Sequence, residues 1–278
     1  MGLQKFFNSR YGVGLGIALG RVMPRRVTYF LIDLVTSLMV NNDESELVKA
    51  VQANQWVVHG KEDLSPIDLK VKAKAVLQHA VYCFYDLYTT FNKPDKVLAM
   101  FPDERDVLDV VRTCKEERKG VFVLAPHTSN FDLALRALAL QGLDATLLGY
   151  ANPFGGYKLQ NRLRASVGME VIPLSEPDVF SRAVTILENG GVVATGMDRP
   201  VEKRRKKHQI PFFGTPSALP VGYMQIPLAA DVPILVLGTA MRSDGSYQIM
   251  RSELLSLRRD DNRFLEIKQN VECVLGIV

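Results

Sequence analysis

The feature that most constrains this chain begins at Gly120. From there, short apolar or β-branched runs alternate with segments of helical periodicity. Runs 121–125, 145–148, 170–173, 191–195 and 234–239 read as strands, and segments 131–141, 157–167 and 178–188 read as helices. Alternation of this kind predicts an α/β domain, a central mixed sheet covered by helices. The residues before it read as helical. Ser65-Pro66 makes an N-cap followed by proline at the first helical position. Beyond it Val71, Ala75, Leu77, Val81, Phe84, Leu87 and Phe91 recur at mostly three- and four-residue spacing, one apolar face, and Asn92 and Pro94 end the helix. We therefore expect a helical region over 1–100, packing on an α/β core over 101–278.

The composition of the 278 residues, 47% hydrophobic and 23% charged, suits a folded domain and excludes disorder and a disulfide scaffold. Cys83, Cys114 and Cys273 are far apart and form no C-x-x-C pair, so no metal site and no redox motif is expected, and a reducing compartment is. The net charge of +4 is too small to imply nucleic acid. Its distribution is more informative. The run Lys203-Arg204-Arg205-Lys206-Lys207 carries more charge than the whole net excess, and reads either as a solvated loop or as a docking site for an anionic headgroup or carrier. Segment 210–230 is long and uncharged, but Pro211, Pro216, Pro220 and Pro227 interrupt it, so no membrane span is expected. The amphipathic stretch 6–39, mixing Leu, Phe and Tyr with Arg, reads either as an interfacial segment or as helices on the domain's own core.

Of four histidines, His59, His79 and His208 have ordinary structural readings. His127 is different. It follows the strand 121–125 and Pro126, at a strand-to-helix transition where α/β sheets often carry active groups. Asp132, five residues on, falls in the first turn of the next helix, where the helix dipole favours a carboxylate. Folding back, it would accept a hydrogen bond from one imidazole nitrogen and leave the other free as a base. Ser129 has no G-x-S-x-G elbow around it, which argues against a serine hydrolase. The spacing alone is a weak signal, since Asn130 and Asp132 also suit helix capping.

The segment His127-Thr128-Ser129-Asn130-Phe131-Asp132 resembles the His-x4-Asp/Glu block of the lysophospholipid acyltransferase superfamily. In particular it resembles the bacterial lipid A lauroyl/myristoyl acyltransferases and their relatives, the phosphatidylinositol mannoside acyltransferases. Further blocks follow in order: Asn161-Arg162-Leu163-Arg164 with Gly168 and Val171-Ile172-Pro173-Leu174, then Met197-Asp198-Arg199-Pro200, then Pro211-Phe212-Phe213-Gly214 with Pro216 and Pro233. Leu19-Gly20-Arg21-Val22-Met23-Pro24-Arg25-Arg26 and the helix after Ser65 are similar to the family's lead-in, so the resemblance spans nearly the whole chain.

The resemblance implies an acyltransferase-type fold and transfer of a fatty acyl chain from a thioester to a hydroxyl of a membrane glycolipid. His127 would be the base and Asp132 its orienting carboxylate. Asp198 would bind acceptor hydroxyls or assist His127, and Asn130, Arg162, Arg164 and Arg199 would contact substrate, the arginines as phosphate forks. The donor would be acyl-coenzyme A or acyl carrier protein, a co-substrate rather than a cofactor. The implied location is the cytoplasmic face of the inner membrane, peripheral, on an anionic surface. Leu147-Leu148-Gly149-Tyr150 and Phe212-Phe213 are candidate walls for the acyl chain, and core packing explains them equally well. Two departures stand out. Residues 270–278 do not match the Trp- and Arg-rich segment the family often carries near its C-terminus, which puts in question any acceptor contact expected from that segment or implies a truncated chain, and Asp198 stands where some relatives have Glu. The alternatives are a glycerophospholipid acyltransferase, whose usual Glu-Gly-Thr-Arg block Met197-Asp198-Arg199-Pro200 does not match, and a lipid-binding protein without chemistry.

Overall fold

A computed structural model describes residues 23–60, 63–90, 92–102, 105–149, 161–162, 164–198 and 209–278. The chain divides into two compact units, Met1–Phe91 and Asn92–Val278.

In the first unit, α1 (Arg25–Val40), α2 (Glu46–Val58) and α3 (Pro66–Thr89) are helices. Ser45 caps α2 by accepting from the Val48 amide. Ser65 caps α3 in a reciprocal box, its hydroxyl accepting from the Asp68 amide while the Asp68 carboxylate accepts from the Ser65 amide. The predicted face of α3 is only partly the buried one. Leu77 and Leu87 are buried, but so are Ala73, Cys83, Asp86 and Tyr88, while Val71, Ala75 and Phe84 are exposed. The stripe is turned because α3 packs on α1 and α2 through Ala73 and Leu77 against Val40 and Val48. Phe91 lies outside the described residues. The buried Asp86 is paired with Arg25, 3.1 Å from Nη2.

The second unit begins with α4 (Pro94–Met100), which the sequence reading assigned to the helical region, and α5 (Arg105–Glu116). It continues through β1 (Val121–Ala125), α6 (Phe131–Leu140), β2 (Thr146–Gly149), β3 (Val171–Pro173), α7 (Val179–Glu188) and β4 (Val192–Gly196). A hairpin of β5 (Ile210–Phe212) and β6 (Thr215–Ser217) follows, then α8 (Gln225–Ala230), β7 (Ile234–Met241), β8 (Tyr247–Arg251) and α9 (Arg263–Leu275). The sheet order is β3-β2-β4-β1-β7-β8. All its pairings are parallel except β7 with β8, so the sheet is mixed.

Every residue of β1 is buried, as a central strand covered on both faces requires. Strand alternation sends Phe122 and Leu124 to one face, with α7, α8 and α9 through Leu187, Leu228 and Val271. Val121 and Val123 go to the other, with α5 and α6 through Val111 and Leu138. Burying each such side chain is worth about 1.5–3 kcal/mol.

This layering positions the site. The chain leaving β1 enters α6 on one face, while the chain leaving the adjacent β4 reaches Ile210 and Met224 on the other. Neighbouring parallel strands whose connections depart to opposite faces open a crevice at their carboxyl ends.

Candidate active site

Ala125 and Gly196, the last residues of β1 and β4, are register partners. Two residues beyond each stand His127 and Asp198, so parallel pairing delivers an imidazole and a carboxylate to the same end of the sheet. A three-residue turn centred on His127, closed by the Thr128 amide donating to the Pro126 carbonyl at 2.7 Å, swings the chain out of β1. The Thr128 hydroxyl then accepts from the Thr239 amide of β7 at 3.1 Å. It continues the ladder where the β1 backbone has turned away. Ser129 takes a left-handed backbone (φ 43°) to enter α6.

Both oxygens of Asp198 are engaged by His127. Oδ2 accepts from the His127 backbone amide at 3.0 Å, and Oδ1 accepts from the ring Nδ1. A carboxylate can only accept, so Nδ1 donates, and in the base form of the ring the lone pair stands at Nε2. Burial pushes the Asp198 carboxyl up, but the hydrogen bonds from the His127 ring and amide outweigh it and hold the group below the ordinary carboxylate range. The site is open: the side chains of His127 and Asp198 are 20% and 41% exposed. Phe131, the first residue of α6, meets the imidazole edge-on with ring centroids 4.5 Å apart.

The carboxylate on His127 is thus not the one the sequence reading placed there. Asp132 is held instead by Arg164, whose Nε and Nη2 both donate to Oδ1 at 3.1 and 2.5 Å. Nη1 of the same guanidinium donates to Asn161 Oδ1 at 3.0 Å. From the first turn of α6, Asp132 thus reaches the helical residue Arg164. Arg164, read as a phosphate fork, is therefore already committed to two protein oxygens.

Asn130, read as a substrate contact, is buried and donates to the Tyr247 hydroxyl at 3.3 Å, tying the start of α6 to β8. Arg162 is exposed on the helical residues that carry Arg164. Arg199, Tyr150 and the basic run from Lys203 to Lys207 lie outside the described residues. Of the candidate acyl-chain walls, Leu147 and Leu148 are buried in the cores on opposite faces of the sheet. Phe212 and Phe213 pack edge to face on the β5–β6 hairpin, with Phe213 at its exposed turn. Among the described residues no group of three His, Cys, Asp or Glu side chains is placed to hold a metal ion. Also among them, no helix is long and apolar enough to cross a membrane.

The sequence reading passed over Thr128, Phe131, Gly196 and Tyr247, which shape the site without obvious chemistry. One signal was present. His127 and Asp198 follow two apolar strands by the same short interval, as register-paired parallel neighbours require.

Residues 9–263 match a family model described as bacterial lipid A biosynthesis acyltransferase. No individually curated protein matches the chain.

Proposed function

The chain belongs to the bacterial lipid A biosynthesis acyltransferase family, whose reaction is acyl transfer to a lipid acceptor, and from that premise we propose that His127 is the general base of the transfer. The observation that carries this is the pairing of His127 with Asp198 at the carboxyl ends of β1 and β4, which leaves Nε2 free to accept.

The acceptor is a hydroxyl of a membrane glycolipid, and the donor is an acyl thioester of coenzyme A or of acyl carrier protein. The hydroxyl proton passes to Nε2 as its oxygen attacks the thioester carbonyl. The imidazolium so formed is stabilised by the ionised Asp198. The tetrahedral intermediate needs donors for its oxyanion, and the first amides of α6 are one backbone source. Collapse breaks the carbon–sulfur bond, and the departing thiolate recovers the proton from Nε2. Acid–base assistance of this kind contributes roughly 100- to 10,000-fold.

The acceptor's location follows the same reading: the enzyme works peripherally at the cytoplasmic face of the inner membrane. An apolar face on α1 supports its peripheral attachment. Val27, Phe30, Leu31, Leu34 and Leu38 recur at helical spacing and are all exposed, Phe30 at 67% and Leu38 at 66%. A helix presenting such a face lies well in a bilayer interface. The basic run from Lys203 to Lys207 would add attraction to anionic headgroups.

Free thiol release from an acyl thioester, measured with and without a hydroxyl-bearing glycolipid, tests the proposal. Acceptor-dependent thiol release with matching acylated product supports it. Lipid binding without thiol release would make the chain a lipid-binding protein.

A further inference from the structure

The imidazole of His127 rests against a residue that has no side chain. A Cβ built on Gly196 would stand 2.8 Å from Cε1 of the ring, 3.5 Å from Nδ1 and 3.6 Å from Nε2. Carbon atoms in good contact sit about 3.5–4.0 Å apart, so any side chain at this position displaces the ring. Backbone conformation does not require the glycine, because Gly196 does not take a positive φ. Nor does core packing, because the residue is exposed at the end of β4. What remains is close approach, a recognised reason for glycine within a strand.

We infer that Gly196 is a positioning residue for the acyl transfer: its bare Cα lets the imidazole lie close enough to β4 for Nδ1 to reach Asp198. Asp198 is two residues further along the same strand end, so its carboxylate can meet the ring only while the ring stays down against β4. A methyl group at 196 lifts Cε1 and carries Nδ1 with it. Phe131, in edge contact with the same ring, limits where it can go. The glycine thereby aims Nε2 as well as Nδ1. This inference rests on the reading of His127 as the base, but its structural half does not.

The test is Gly196→Ala, read in two ways. In proton NMR the hydrogen-bonded Nδ1 proton of His127 gives a strongly downfield resonance, identified by its loss in His127→Ala. We expect it in the wild type and expect it lost or moved in Gly196→Ala, with melting within about 2 °C of the wild type. In the transfer assay kcat should fall about 100-fold, as for a displacement of roughly 1 Å, while KM changes much less. Combined with Asp198→Asn, the glycine substitution should cost little more, because both act through one hydrogen bond.

An unchanged downfield proton in Gly196→Ala overturns the inference, whatever happens to activity. So does its absence from the wild type. A Gly196→Ala chain that does not fold also overturns it, since the residue would then be needed by the fold. If His127→Ala remains active, the general-base reading fails, and the proton resonance still decides what Gly196 does to the ring.

Discussion

His127 and Asp198 are 71 residues apart in sequence, yet Asp198 accepts hydrogen bonds from both the ring Nδ1 and the backbone amide of His127. The two-point grip fixes the tautomer of the ring and its tilt relative to the strand end. Removing the charge while keeping the shape should therefore spoil the ring's protonation pattern more than its position. We predict that Asp198→Asn lowers kcat about 1,000- to 10,000-fold, with the fold intact by circular dichroism. A loss below about tenfold would leave the carboxylate without its assigned part.

The same contact makes a prediction in pH. In the folded chain the Asp198 carboxyl is held below its ordinary value. A depressed pKa contributes stability that is present above the unfolded value, about 3.9, and is lost as pH falls through the folded one. The difference in melting temperature between wild type and Asp198→Asn should be full near neutrality and shrink only below about pH 4. A difference unchanged down to strongly acid pH, measured by thermal melting, would contradict the assignment.

Asp132 and Arg164 form an ion pair at the start of α6, and both side chains are largely buried. Removing either partner strands the other charge. Asp132→Asn and Arg164→Met should each destabilise the protein by about 3–5 kcal/mol, and the double variant should lose far less than the sum. Additive losses in denaturant titrations would mean that the pair does not act as a unit.

Thr128→Val keeps the shape of the side chain but removes the acceptor for the Thr239 amide. An orphaned buried amide costs about 1–3 kcal/mol, and the turn carrying His127 loses its anchor to β7. Stability and kcat should fall together, and equilibrium unfolding alongside the transfer assay would show whether they do.

The face on α1 yields a binding prediction. Burial of a Phe or Leu side chain is worth about 1.5–3 kcal/mol, so Phe30→Glu or Leu38→Glu should weaken partition onto vesicles by about tenfold or more. Charge-neutral substitutions over Lys203 to Lys207 should weaken it mainly at low ionic strength. Vesicle co-sedimentation that moves with neither change would remove the support these segments give to a peripheral location.

Much of this was legible in the sequence, for reasons that differ by element. β1 was readable because a central strand is apolar throughout, and all five residues from Val121 to Ala125 are buried. α3 was readable at its start because Ser65, Pro66 and Asp68 act locally, but its buried face was not. That face depends on where α1 and α2 lie, and periodicity does not carry that information. β8 was missed because it is an edge strand in which only Tyr247 is buried. His127 stood out because a polar, titratable residue after an apolar strand is unusual. Asp132 reads as its orienting carboxylate because it is near in sequence, whereas Asp198, which the sequence offers as an acceptor contact or an aid to His127, becomes near only when β4 pairs with β1. Gly196 offered no chemical signal, since what matters there is a missing side chain.

The most direct test of the central claim is acyl transfer by His127→Ala, followed as acylated lipid formed from a thioester donor and a glycolipid acceptor. With the base removed, turnover should drop about 1,000-fold or more while the melting temperature and vesicle binding stay near those of the wild type. Turnover by a folded His127→Ala protein within about threefold of the wild type would contradict the assignment of this imidazole as the base.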